Sequence, residues 1–220
     1  MKKHEVRARI EQIGIIPAAR LASAEDALFA AEAVSSGGIP IIEVTMTVPG
    51  ALDVISELVR SKPEITVGAG TVLDVETARR CLDAGANFLT STGLDLEIVD
   101  FALKNEVLVF PGVLTPSEIM LAWKAGSDFV KIFPCAQVGG ASYIKALNAP
   151  FPHVPLIASG GVNQRTAADF ILAGAVAVGI GTDLIEPEAI RRREHDWIRE
   201  LAHRFLHLVI QARRQVPARR

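Results

Sequence analysis

Pro40-Ile41-Ile42-Glu43-Val44-Thr45-Met46 is followed by Pro49–Ser61 and then by Ile65-Thr66-Val67-Gly68-Ala69-Gly70. The outer two segments are short, rich in β-branched residues and apolar on both faces, and they are bounded by Gly or Pro. That pattern predicts buried strands. The middle segment has the length and apolar spacing of a helix. A strand, a helix and a second strand buried on both faces make a βαβ unit. Its strands run parallel and its crossover is right-handed.

The same unit recurs outward in both directions. Further strands are expected at Gly14–Ala18, Asn87–Ser91, Val107–Phe110, Asp128–Phe133, Val154–Ser159 and Ala175–Ile180. Helices are expected at Ala24–Ser35, Val75–Ala84, Leu94–Lys104, Pro116–Ala125, Ala141–Leu147 and Gln164–Ala173. Ser23 before Ala24, and Thr115 before Pro116-Ser117-Glu118, are start signals. Gly37-Gly38, Gly85, Gly126 and Gly174 are stop signals. Eight such strands fit an α/β fold of the closed (β/α)8 barrel type better than an open sheet. A doubly wound nucleotide fold would want Gly-x-Gly-x-x-Gly after its first strand, and Arg20-Leu21-Ala22-Ser23 holds no glycine. An extra N-terminal helix, Lys3–Ile13, precedes the barrel, and Trp197–Arg213 reads as the last helix. With no linker in view, residues 1–220 are expected to form a single domain.

Composition narrows the function. The chain has 220 residues, of which 50% are hydrophobic and 22% charged, which excludes a disordered chain. A net charge of −2 gives no reason to expect nucleic acid or an anionic membrane as partner. Cys81 and Cys135 form neither a disulfide framework nor a CxxC pair. The charged start lacks the character of a signal peptide, and no apolar run reaches the ~18–20 residues of a membrane span. A cytoplasmic location is expected.

In a barrel of this kind the chemistry gathers where strands end. Lys131 lies in Phe129-Val130-Lys131-Ile132-Phe133-Pro134, apolar on both sides. Either it snorkels from an outward face, or it is used. Burial disfavours a charged amine, and a neutral amine attacks a carbonyl to give a Schiff base. Glu43 stands alone in an apolar strand, with Ile41 and Thr45 on its face. It is either half of a structural ion pair with Lys131 or a proton carrier for an imine and enamine. Ser159-Gly160-Gly161-Val162 and Gly179-Ile180-Gly181-Thr182 follow the last two strands. They are simple turns or a phosphate-binding pair of loops, the usual place for one in a barrel. His203 and His207 are four apart on the outer last helix and are not expected to hold a metal. Cys135 reads as a small core residue. Arg213, Arg214, Arg219 and Arg220 read as a solvated, frayed tail.

Taken in order and spacing, six segments resemble the 2-keto-3-deoxy-6-phosphogluconate and 4-hydroxy-2-oxoglutarate aldolases. They are Ile41-Ile42-Glu43-Val44-Thr45, Val67-Gly68-Ala69-Gly70-Thr71-Val72, Phe110–Glu118, Val130–Pro134, Ser159–Asn163 and Gly179-Ile180-Gly181. The resemblance implies a homotrimeric class I aldolase on a lean barrel, with no metal or organic cofactor. It puts the Schiff-base lysine on Lys131, the acid/base glutamate on Glu43 and a keto-acid contact on Thr71. The family carries its carboxylate-binding arginine in one of two places. This chain has Thr47 at one and Arg20 at the other, so it resembles the second branch. Thr47, Thr92 and Phe133 are carried over as further substrate-binding positions. Phosphate binding falls on Ser159, Gly160, Gly161, Gly181 and Thr182.

The implied reaction is reversible cleavage of 2-keto-3-deoxy-6-phosphogluconate to pyruvate and glyceraldehyde 3-phosphate. There are departures from the family pattern. Thr92 stands where many members have Pro, and Ala158-Ser159 precedes the glycines where many have Pro-Thr. Asp183 is an acid beside the phosphate loop, placed either to cap a short helix before Pro187 or to disfavour a dianion. Aldolases for unphosphorylated 4-hydroxy-2-oxo acids or for the galactonate epimer are therefore alternatives. A sugar-phosphate isomerase, epimerase or binding barrel is a more distant one, since no histidine lies at a predicted strand C-terminus.

Overall fold

The computed structural model describes residues 1–216, so Arg219 and Arg220 lie outside the described residues. Among these residues run nine strands, all paired in parallel. They are β1 (Ile15–Ala19), β2 (Ile41–Thr45), β3 (Thr66–Gly70), β4 (Phe88–Thr90), β5 (Leu108–Phe110), β6 (Gly112–Val113), β7 (Val130–Ile132), β8 (Leu156–Ser159) and β9 (Ala177–Ile180). Their order is β5-β4-β3-β2-β1-β9-β8-β7-β6. The two ends of that list are consecutive in the chain. Proline has no N–H to give a ladder, so Pro111 splits the expected fifth strand into β5, which pairs with β4, and β6, which pairs with β7. Eight barrel stations result, as expected, and the split strand brings the sheet round on itself.

The helices follow the stations: α1 (Lys3–Ile13), α2 (Ala24–Ser36), α3 (Ala51–Ser61), α4 (Val75–Asp83), α5 (Leu96–Lys104), α6 (Pro116–Lys124), α7 (Ala141–Asn148), α8 (Ala167–Leu172), α9 (Pro187–Arg191) and α10 (His195–Gln215). The start signals act as the sequence predicts. Ser23 Oγ accepts from Asp26 N, and Thr115 and Glu118 form a reciprocal capping box. α8 starts three residues later than expected. Asn163 Oδ1 accepts from Arg165 N and Thr166 N, and Thr166 Oγ1 accepts from Asn163 N, so a side-chain turn takes the place of the first helical turn. Asp183 does not cap a helix. α9 begins at Pro187, with Glu186 before it.

The barrel interior is filled with side chains. Phe88 and Phe110 stack at 5.3 Å, and Phe129 meets Phe110 edge-on at 6.2 Å. Gly68 makes room for the Phe88 ring, which occupies the space its Cβ would need. α1 lies across the N-terminal ends of the strands. Its Lys3 pairs with Asp128 at 3.0 Å, Arg7 covers the Phe129 ring at 5.1 Å and Arg9 donates to Glu64 O. The active end is thereby left to the opposite side. Arg213 is not part of a solvated tail. It is half-buried against Gly14 and donates to Gln12 O at 2.6 Å and Val176 O at 2.7 Å. Its three-methylene stem, reaching from the end of α10, lets the guanidinium satisfy carbonyls beneath the barrel.

Candidate active site

Lys131 is the middle residue of β7 and Glu43 the middle residue of β2, two stations with no shared edge. Both point inward. Lys131 is 6% exposed and Glu43 4%, so neither amine nor carboxylate escapes to bulk water. Their nearest charged atoms, Nζ and Oε2, are 3.9 Å apart. That is an ion-pair contact rather than a hydrogen bond. The sequence alternative of an outward, snorkelling Lys131 is removed by its burial.

The other partners of this pair come from neighbouring strands. Lys131 Nζ donates to Thr90 Oγ1 at 3.5 Å, and Thr90 Oγ1 donates to Phe110 O at 2.8 Å. The Glu43 carboxylate lies over Gly70 at the end of β3, where a side chain would displace it. Thr71 follows in the left-handed region with φ +57°, a conformation that threonine rarely adopts. Lys131 Nζ also lies 5.6 Å from the centre of the Phe133 ring.

Phe133 joins this pair to a second region. A cleft of about 230 Å³ is lined by Arg20, Phe133, Ser159, Gly160, Gly161, Gly181, Thr182 and Asp183, among others. The loops after β7 and β8 are fastened face to face, since Cys135 N donates to Ser159 O and Ala136 N to Gly160 O. Gly161 has φ +80° and packs so closely on Ala136 that no side chain fits. Gly181, by contrast, has open space where a Cβ would stand. Arg20 is exposed at the end of β1 and forms no ion pair with another described residue.

The structure therefore gathers nine of the expected site residues: Lys131 and Glu43 in the interior, and Arg20, Phe133, Ser159, Gly160, Gly161, Gly181 and Thr182 around the cleft. Thr71 and Thr92 follow the ends of β3 and β4 and are half-buried, outside the lining of that cleft. Thr47 is exposed and its hydroxyl is engaged with Thr45 Oγ1 at 2.7 Å. Two residues of the site escaped sequence reading, Gly70 and Thr90. Period-two geometry places Thr90 on the same face as Thr92, which was the only available signal. Burial pushes the Cys135 thiol up to about 11, so this neighbour of the mouth stays a neutral core residue. His203 and His207 face each other on α10, outside the barrel.

The KDPG and KHG aldolase family model matches residues 6–201, which takes in Lys131, Glu43 and the whole cleft lining. The chain belongs to the KDPG and KHG aldolase family. As an aldolase it is a lyase acting on small molecules. Among its relatives in this family, the 2-dehydro-3-deoxy-phosphogluconate aldolase of Pseudomonas aeruginosa is 33% identical over 200 residues, covering 91% of each chain. The KHG/KDPG aldolase of Escherichia coli is 31% identical over 188 residues, 86% of this chain and 88% of that one. A crystal structure of the Legionella pneumophila KDPG aldolase superposes with a TM-score of 0.84 at 33% identity, covering 90% of this chain and 96% of that one. That relative was crystallised with pyruvate captured as a covalent carbinolamine intermediate. Among the described residues of this aldolase, no helix is long and apolar enough to cross a membrane.

Proposed function

We propose that the chain cleaves 2-keto-3-deoxy-6-phosphogluconate reversibly into pyruvate and glyceraldehyde 3-phosphate, through a Schiff base on Lys131. One observation carries the reading. A lysine and a glutamate, both buried, face each other at 3.9 Å inside the barrel. A merely structural pair would be a poor return on that burial, because two desolvated charges repay their hydration loss only with close hydrogen-bonded geometry.

The Lys131 amine adds its lone pair to the C2 ketone, and the ketone oxygen takes up a proton to give a carbinolamine. Loss of that oxygen as water leaves a protonated imine. Glu43, directly or through water, removes the C4 hydroxyl proton. The C3–C4 bonding electrons flow into the imine, releasing the aldehyde and leaving an enamine. Glu43 returns its proton to C3, and water hydrolyses the resulting imine to pyruvate and free lysine. Arg20 holds the carboxylate, a task suited to a guanidinium fork, together with Thr71. The cleft between the Gly160-Gly161 and Gly181-Thr182 loops receives the phosphate. No step calls for a metal or organic cofactor. The names of the Pseudomonas and Legionella relatives support the substrate and the covalent step.

Incubation with pyruvate, borohydride reduction and peptide mapping by mass spectrometry test the mechanism. The expected adduct is on Lys131, and EDTA leaves the cleavage rate unchanged. No adduct, an adduct on another lysine, or a metal-dependent rate overturns it. A second reading has one observation behind it: Asp183 lines the cleft that would hold the phosphate. Its carboxylate favours a neutral, hydroxylated tail, as in an unphosphorylated 4-hydroxy-2-oxo acid. Pyruvate release from paired acids with and without the phosphate separates the two.

A further inference from the structure

Thr90 has a hydroxyl with a single proton to give. Phe110 O, 2.8 Å away, is a carbonyl oxygen and can only accept, so that proton is committed to it. Lone pairs alone remain on Thr90 Oγ1 for the Lys131 amine at 3.5 Å. Thr90 is 1% exposed, and its hydroxyl is held by a carbonyl where β5 stops before Pro111. The polarity of the chain Lys131 Nζ → Thr90 Oγ1 → Phe110 O is therefore fixed.

We infer that Thr90 is a positioning residue, an acceptor that turns the Lys131 amine for attack. This rests on the Schiff-base reading above. A neutral amine has two N–H bonds and one lone pair. Thr90 takes one N–H, and the Glu43 carboxylate faces the same nitrogen at 3.9 Å, an electrostatic contact beyond hydrogen-bond reach. The lone pair is then left for the substrate carbon. Without Thr90 the end of the four-carbon lysine stem loses one of the two groups that set its rotation. The contact is long for a hydrogen bond, as such contacts often are before substrate tightens a site. Burial alone would explain a threonine satisfied by a backbone carbonyl. It would not explain a dependence of the amine's reactivity on the hydroxyl.

The test follows the rate of the pyruvate adduct, trapped by borohydride at timed intervals, in the wild type, Thr90→Val and Thr90→Ser. At saturating pyruvate, Thr90→Val slows adduct formation by about 10–100-fold, the scale of a misplaced reacting group. The half-saturating pyruvate concentration changes by less than about threefold, because the carboxylate clamp is untouched. Thr90→Ser stays within about threefold of the wild-type rate, because its hydroxyl is retained. Thr90→Cys, whose sulfur is a weak acceptor, gives the same loss if the valine variant does not fold. Wild-type rates in the valine or cysteine variant overturn the inference. So does a serine variant as slow as the valine one, which would make the methyl group's packing responsible. If the wild type itself forms no adduct on Lys131, the Schiff-base reading falls. If it does and Thr90→Val matches it, that reading stands and only the role of Thr90 is lost.

Discussion

The carboxylate of Glu43 occupies the space that a side chain on Gly70 would need. A Cβ built on Gly70 would press on Oε1, Cδ and Cγ of Glu43 at once. Gly70 is thus a glycine for the sake of its neighbour's functional group, and its absent side chain lets the carboxylate approach Lys131. Gly70→Ala is expected to displace Glu43 and to slow turnover by about 10²-fold, as sub-ångström to ångström misplacement does. The overpacking should cost about 1–3 kcal/mol of stability. Steady-state kcat beside a thermal melt checks both, and an unchanged kcat refutes the link between the two residues.

Glu43→Gln keeps the shape of the side chain and removes its capacity to take a proton. Pyruvate adduct formation on Lys131 should persist, while cleavage slows by roughly 10²–10⁴-fold. A rate near the wild type would leave Glu43 as a structural partner of Lys131.

Arg20→Ala should act on binding. Its guanidinium is exposed at the cleft and makes no ion pair among the described residues, so it is available to a carboxylate. A clamp present in both ground and transition states raises KM for pyruvate far more than it lowers kcat. Pyruvate-dependent exchange of methyl protons for deuterium, followed by NMR, gives both constants. Unaltered half-saturation would move the carboxylate site away from Arg20.

The phosphate end is best tested at Gly181. Gly161→Asp would collide with Ala136 and confuse charge with damage, whereas the space beside Gly181 is open. Gly181→Asp should sharply lower cleavage of the phosphorylated acid by placing a second carboxylate beside Asp183. Proton exchange with pyruvate, which has no phosphate, should survive. Undiminished cleavage would send the phosphate elsewhere and favour the unphosphorylated substrate.

Both thiols should be silent at ordinary pH. Burial pushes Cys81 and Cys135 up to about 11. At pH 8 each is therefore thiolate to the extent of about one part in a thousand. Iodoacetamide at that pH should leave both residues and the activity intact until denaturant is added. Rapid alkylation of Cys135 in the folded enzyme would contradict its burial.

Much of this architecture is legible in the chain because its errors would be expensive. A charged residue in a strand apolar on both faces announces itself, so Lys131 and Glu43 stand out before any contact is known. The eight stations are legible for the same reason, since Gly and Pro punctuate each apolar run. Thr90 is silent, because a hydroxyl in a strand is ordinary and its meaning lies in a partner 41 positions away. The division at Pro111 is silent too. A proline among apolar residues marks a strand end, and only the closed sheet shows that both halves serve one station. The start of α8 is hidden by Asn163, whose side chain accepts the N–H groups that open the helix. The place of Arg213 is silent as well, because its charge suggests water while its long stem carries it beneath the barrel.

That arginine also joins the two ends of the fold. Its bond to Gln12 O spans 201 positions of the chain, from the end of the first helix to the end of the last. The two carbonyls beneath the first and ninth strands find their donor only once the first and last helices lie together. A loop of that length carries a closure entropy that the contacts of the barrel between them offset. Arg213 is therefore a latch between the first and last helices.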